Sequence, residues 1–133
     1  MNRIIERLSS FGVVPVVALD HSCTAASVAK ALIAGGLPCA EITFRTAAAE
    51  ESIHLIKAAY PDMLIGAGTV TTTGRVDQAI NAGAEFIVSP GFSKEIAELC
   101  AKNNVKYFPG CVTPTEIMEA IECGIEVVKF FPA

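Results

Sequence analysis

The stretch that decides the fold is IEVVKFFPA, residues 125–133, a run of large apolar side chains that contains one lysine. The run is typical of a buried β-strand, so it predicts that Lys129 lies among Val, Ile and Phe side chains. Lysine is rarely buried without a reason, and a desolvated lysine loses its proton readily and becomes a nucleophilic amine. Lys129 is therefore a candidate for Schiff-base chemistry with a carbonyl substrate. The alternative is a lysine whose stem packs in the wall while its ammonium group reaches water.

Upstream of this strand, the chain alternates apolar runs with segments of helical spacing, and glycines or a proline close most of the helices. The predicted helices cover 3–11, 23–34, 46–60, 72–82, 93–103 and 113–124, and the predicted strands cover 13–19, 39–44, 63–67, 86–89, 106–108 and 125–133. Such alternation is typical of an α/β fold with a parallel sheet, either a (β/α)₈ barrel or a doubly wound sheet. The segment Gly66-Ala67-Gly68 lacks the third glycine of a dinucleotide-binding loop, which favours the barrel.

Length and composition indicate a globular protein with a single domain over residues 1–133. Of the 133 residues, 52% are hydrophobic and only 18% are charged, so disorder is excluded. The net charge of −4, without a basic cluster, argues against a nucleic-acid partner, and no apolar run is long enough to span a membrane. Five cysteines are scattered singly, which suits a reducing cytoplasm better than disulfides or a metal site, and no metal is expected.

Polar side chains alternate with apolar ones along the second predicted strand. Alternation places Glu41, Thr43 and Arg45 on one face and Ile42 and Phe44 on the other. In a barrel the polar face would line the interior, whose upper end is the active site. An ion pair between the two charged residues is disfavoured, because four residues of extended strand separate their Cα atoms by roughly 13 Å. An edge strand that faces water remains the alternative.

Further candidates lie where other predicted strands end. By the same alternation, Lys129 can point inward, and Thr69 and the segment Ser89-Pro90-Gly91 follow the third and fourth strands. Barrels of this type gather their catalytic groups at the carboxyl ends of their strands. The two histidines, His21 and His54, have no partner at a meaningful spacing, so we expect neither to be catalytic. No cluster with the spacing of metal ligands is visible.

Five segments, taken together and in order, resemble the 2-keto-3-deoxy-6-phosphogluconate (KDPG) / 4-hydroxy-2-oxoglutarate (KHG) aldolase family. They are EITFRT at 41–46, GAGTV at 66–70, SPG at 89–91, PGCVTPTE at 109–116 and KFFPA at 129–133. The resemblance spans the whole chain. It implies a homotrimeric (β/α)₈ barrel in the cytoplasm and a class I aldolase that needs no metal or other cofactor. Its partners would be small keto acids, namely pyruvate, KDPG or KHG.

The resemblance also implies a role for individual residues. Lys129 would form the Schiff base with pyruvate or the keto-acid substrate, and Glu41 would shuttle the proton. Arg45 and Thr69 would hold the substrate carboxylate. The pocket would be lined by two further residues, Pro90 and Phe131.

The sequence departs from the family pattern in one respect. The family has eight strands, whereas residue 133 lies at the end of the sixth predicted strand, so we expect a barrel truncated there. The loops that would bind a substrate phosphate follow the seventh and eighth strands in many such barrels. Two other interpretations stay open: a non-catalytic fragment or assembly subunit, and an aldolase for phosphogalactonate-type sugars.

Overall fold

A computed structural model describes residues 3–133, and helices and strands alternate along them. The helices are α1 Arg3–Phe11, α2 Ala25–Ala34, α3 Ala49–Ala59, α4 Thr73–Ala82, α5 Lys94–Lys102 and α6 Pro114–Glu122. The strands are β1 Val16–Val17, β2 Cys39–Thr43, β3 Leu64–Gly68, β4 Phe86–Ser89, β5 Lys106–Cys111 and β6 Lys129–Phe130. No helix within residues 3–133 has the length and apolar character needed to cross a membrane.

The six strands form one parallel array in which spatial order follows chain order from β1 to β6. A doubly wound sheet reverses its strand order near the centre, so this order is the one expected of a barrel. The array is strongly curled. In a flat sheet β2 and β6 would lie roughly 19 Å apart, yet Lys129 on β6 and Glu41 on β2 approach to 4.0 Å through their side chains. The described strands therefore form a curled half-barrel, and the α/β prediction is confirmed at this coarser level.

Apolar side chains pack on both faces of the curled sheet. Between the strands and the outer helices lies the larger core, built on residues such as Ile42, Ile65 and Ile87. A smaller core fills the inner face near the amino ends of the strands, where the apolar face of α1 packs against it. Its buried members are Cys39, Leu64, Phe86, Val88 and Phe108. Helix α1 thus closes one end of the half-barrel, and the polar side chains remain at the other.

Local sequence signals explain where most of the helices begin and end. The side chains of Thr72, Ser93 and Thr113 cap α4, α5 and α6, each accepting a hydrogen bond from a backbone N–H. Thr113 and Glu116 form the predicted capping box, with proline at the first helical position. Helix α4 ends at Gly83, whose φ of 105° lies in the left-handed region that glycine adopts without strain.

The last strand differs from its prediction. Only Lys129 and Phe130 of the predicted run over 125–133 are strand residues, and Phe130 is 63% exposed. Val127 and Phe131 are exposed as well. The prediction of a buried strand was wrong, because within residues 3–133 β6 pairs with β5 alone and no further strand covers its outer edge.

Three other elements have a boundary three residues from its predicted position. Strand β1 is reduced to Val16–Val17, next to a proline that has no N–H to donate. Helix α3 begins at Ala49 rather than at Thr46, because the Thr46 hydroxyl donates to the carbonyl of Leu19 at 2.5 Å instead of capping the helix. Strand β5 continues to Cys111, three residues beyond its predicted end.

Candidate active site

Lys129 reaches across the inner face of the half-barrel from β6 to β2. Its Nζ lies 4.0 Å from Oε1 of Glu41 and 4.9 Å from the centre of the Phe131 ring, within the range of a cation–π contact. The Lys129 side chain is 31% exposed, so the amine is half-buried rather than sealed from water as its sequence predicted. This position leaves the amine accessible to an entering molecule while one flank contacts a carboxylate.

Glu41 is the buried partner of this pair. Its side chain is only 7% exposed. Burial raises the pKa of the Glu41 carboxyl, and the positive charges of Lys129 and Arg45 offset part of that rise. A carboxyl whose pKa is raised towards neutrality is better suited to take up and return protons near pH 7.

Three glycines make room on the inner face at the level of this pair. A methyl group at Gly68 would overlap the carboxylate of Glu41, and one at Gly66 would overlap the ring of Phe86. A methyl group at Gly110 would overlap the backbone carbonyl of Pro90. Because Gly110 is the register partner of Lys129, the Pro90 carbonyl lies against the strand position next to the Lys129 backbone.

Arg45 follows β2 and is exposed to solvent. Within residues 3–133, the ion-pair partner of Glu41 is Lys129, and Arg45 acts on Glu41 through its charge. Among the described residues, Glu41 is thus paired with Lys129 across the half-barrel rather than with Arg45 of its own segment. The exposed guanidinium remains available to bind an anionic group of a ligand.

Thr69 adopts a conformation that the sequence did not indicate. Its φ of 55° lies in the left-handed region, which is unfavourable for a β-branched residue and is found most often at functional sites. Arg75 donates from Nη1 to the Thr69 carbonyl at 3.2 Å and to the Thr71 hydroxyl at 3.2 Å. Arg75 therefore holds the backbone of Thr69 at the carboxyl end of β3.

The structure thus brings together part of the predicted set. Lys129 lies within reach of both Glu41 and Phe131, and Arg45 acts on Glu41 through its charge. The Pro90 carbonyl contacts Gly110, the register partner of Lys129. Thr69 lies on the same rim, where its contacts are with Arg75.

Two histidines lie outside the site, and two residues near it were not singled out from the sequence. His21 and His54 are exposed, as expected for residues outside the site. Sequence reasoning missed Gly68, although two glycines on the inward face of β3 were a visible signal. It also missed Tyr107, which bonds to Ser89 across the helix-facing side of the sheet.

A family profile described as KDPG and KHG aldolase matches residues 4–133. The chain belongs to this family. It is 47% identical over 133 residues to the 2-dehydro-3-deoxy-phosphogluconate aldolase of Treponema pallidum, and the alignment covers all of this chain and 63% of the relative. The family resemblance inferred from the five segments is thereby confirmed. The chain spans about three-fifths of the length of the curated aldolase relatives that it matches.

Solved structures of the aldolase family have the same fold over the described region. The KDPG aldolase of Zymomonas mobilis with 3-phosphoglycerate superposes with a TM-score of 0.92 at 35% identity, covering all of this chain and 63% of that one. The KDPG aldolase of Legionella pneumophila superposes with a TM-score of 0.87 at 38% identity, covering 90% of this chain and 58% of that one. The Legionella structure contains pyruvate captured as a covalent carbinolamine intermediate.

Proposed function

We propose that the complete protein is a class I aldolase that cleaves KDPG, KHG or both to pyruvate and an aldehyde, glyceraldehyde 3-phosphate or glyoxylate. The observation that carries the proposal is the half-buried amine of Lys129, 4.0 Å from the buried carboxyl of Glu41, in a chain of this family. Because this chain covers 63% of the Treponema relative, the activity is proposed for the whole protein.

In the proposed reaction, the unprotonated amine of Lys129 attacks the C2 ketone, and the carbinolamine takes up one proton and loses water to give a protonated imine. Glu41, as a carboxylate, takes the proton of the C4 hydroxyl directly or through one water. The C3–C4 bond then breaks: C4 leaves as the aldehyde, and the electron pair moves into the imine to form an enamine of pyruvate. The neutral Glu41 carboxyl returns its proton to C3, and water releases pyruvate and restores the amine.

The environment of Glu41 supports this double role. Burial raises the pKa of its carboxyl, so the protonated form costs less free energy than it would in water. The neighbouring Lys129 charge stabilises the carboxylate form, and imine formation keeps a positive charge close to the same place. Glu41 is therefore poised to change protonation state twice in one turnover.

We assign substrate binding to four residues from their match to the family motifs. Arg45 and Thr69 would hold the substrate carboxylate, for which a guanidinium offers a fork of donors. Pro90 and Phe131 would line the pocket on either side of the amine. This assignment is supported by position. Arg45, Thr69 and Pro90 follow the carboxyl ends of strands, and Phe131 lies beside Lys129.

We further propose that the complete protein closes as a (β/α)₈ barrel, assembles as a homotrimer and works in the cytoplasm. The curl of the six strands and the likeness to larger aldolase chains support the closed barrel. The trimer stays a prediction, which the sedimentation mass of the complete protein tests.

Borohydride trapping tests the function directly. The protein is incubated with pyruvate and sodium borohydride, and the reduced adduct is located by peptide mass spectrometry. We expect one adduct, on Lys129, because reduction traps the imine that this amine forms. Lys129→Arg should abolish the label.

Lys106 provides the matched control. Its side chain is 32% exposed and its Nζ lies 3.8 Å from Glu126, so it has nearly the same exposure and acid distance as Lys129. Lys106→Arg should leave the label unchanged. An unmodified Lys129 with label elsewhere would reject the assignment. Labelling without retro-aldol cleavage of KDPG or KHG would favour the non-catalytic interpretation.

A further inference from the structure

The turn that follows β4 is held by a chain of hydrogen bonds on the helix-facing side of the sheet. Ser89 Oγ donates to the carbonyl of Gly91 at 2.5 Å and lies 2.5 Å from the hydroxyl of Tyr107. The backbone N–H of Ser93, the N-cap of α5, donates to the Tyr107 hydroxyl at 3.3 Å. Two buried side chains on adjacent strands thus fix both ends of the segment 89–93.

The two hydroxyls and the Gly91 carbonyl share three contacts in this network. Each hydroxyl has one proton to donate. Either hydroxyl can therefore donate in the contact between Ser89 and Tyr107, because the Tyr107 hydroxyl also lies 3.3 Å from the Gly91 carbonyl; it accepts from the Ser93 N–H in both cases. Burial raises the pKa of the Tyr107 phenol, so the proton that this arrangement needs is retained at neutral pH.

The turn over residues 89–93 also contacts the inner face of the sheet, through the carbonyl of Pro90. The carbonyl of Pro90 lies against Gly110, where even a methyl group would overlap it. Gly110 pairs in register with Lys129. The position of the turn therefore affects the inner wall at the strand position that pairs with Lys129, although Tyr107 itself lies on the opposite face of β5.

We propose that Tyr107 and Ser89 are positioning residues for keto-acid capture, because their hydroxyls hold the Pro90 turn against Gly110 beside Lys129. The inference rests on the proposed function, since it assumes that Lys129 is the amine that reacts. Neither residue touches the substrate. Loosening the turn should widen the wall and weaken keto-acid binding, while the chemistry of the bound amine is preserved.

The test measures how the rate of borohydride trapping depends on pyruvate concentration in Tyr107→Phe and Ser89→Ala. Each variant removes one hydroxyl of the chain of bonds, and we expect the half-saturating pyruvate concentration to rise roughly 3- to 10-fold, as for the loss of one hydrogen bond. The maximal trapping rate should change by less than about twofold. Using two variants keeps the test valid if one of them fails to fold.

Matched controls separate positioning from general stability. Tyr60→Phe removes a phenol oxygen at the amino-terminal side of the sheet, and Ser52→Ala removes a buried hydroxyl that has no hydrogen-bond partner among the described residues. Neither should move the half-saturating concentration. Unfolding midpoints are measured for all four variants.

The outcomes distinguish this inference from the proposed function. Wild-type labelling at Lys129 with unchanged half-saturation in Tyr107→Phe and Ser89→Ala, whatever their unfolding midpoints, would show a merely structural network and overturn the inference alone. Absence of wild-type labelling would overturn both. A raised half-saturation in the two variants, with the two controls unchanged, would support the positioning role.

Discussion

Two lysine–glutamate pairs lie at opposite ends of the half-barrel and differ chiefly in the exposure of the acid. Lys129 and Glu41 approach to 4.0 Å, and Lys106 and Glu126 to 3.8 Å. The lysine side chains are equally exposed, at 31% and 32%. The glutamates are not: Glu41 is 7% exposed and Glu126 is 64% exposed.

The comparison teaches that the acid, rather than the lysine, distinguishes the candidate site. An exposed pair such as Lys106–Glu126 is screened by water and typically contributes less than about 1 kcal/mol. Burial raises the pKa of the Glu41 carboxyl, whose ion-pair partner is Lys129. Among the two pairs, only the one with a buried carboxyl has a group suited to move protons near neutral pH.

The largest expected effect appears when the acid of each pair is replaced by its amide and the two variants are compared. Glu41→Gln should slow cleavage of KDPG by about 10²-fold or more, because the amide cannot accept the C4 proton. Trapping of pyruvate on Lys129 should persist. Glu126→Gln should leave both unchanged, and steady-state cleavage assays with borohydride trapping measure the difference. Equal turnover in the two variants would remove Glu41 from the mechanism.

A smaller effect is expected from the glycine that supports Glu41. Gly68→Ala places a methyl group where the carboxylate now lies, so the carboxylate must move. We expect cleavage to fall by roughly tenfold through misplacement of the base and the free energy of unfolding to fall by about 1–3 kcal/mol. Gly74→Ala on α4, where nothing lies within 4 Å of the added atom, is the control and should retain activity. Full activity in Gly68→Ala would mean that the close contact does not position Glu41.

The smallest effect is on the pH dependence of stability. Folding raises the pKa of Glu41 above its ordinary value of 4.5, so between the unfolded and folded pKa values the native state binds more protons. The contribution of the Glu41 carboxyl to stability is then fully present below pH 4.5. It is lost as pH rises through the pKa that Glu41 has in the folded state. Denaturant titrations across this range should show a steeper loss in wild type than in Glu41→Gln. Parallel curves would contradict the raised pKa.

Local patterns predicted the elements well, because they depend on neighbours within a turn or two of the chain. The capping residues Thr72, Ser93 and Thr113 and the stop at Gly83 needed no knowledge of the fold. The alternation along β2 also predicted which face carries Glu41. Thr46 shows the limit of such signals: its hydroxyl bonds to Leu19, which is 27 residues away in the chain.

The sequence by itself determined the order of helices and strands, the inward face of β2 and the family. Only the tertiary structure decided how exposed Lys129 is, that Gly68 packs on Glu41, and that Tyr107 holds the turn after β4. The physical reason is the separation along the chain of the residues that interact. Caps and periodicity act between near neighbours in the chain, whereas an amine at residue 129 meets a carboxyl at residue 41 only because the sheet between them curls.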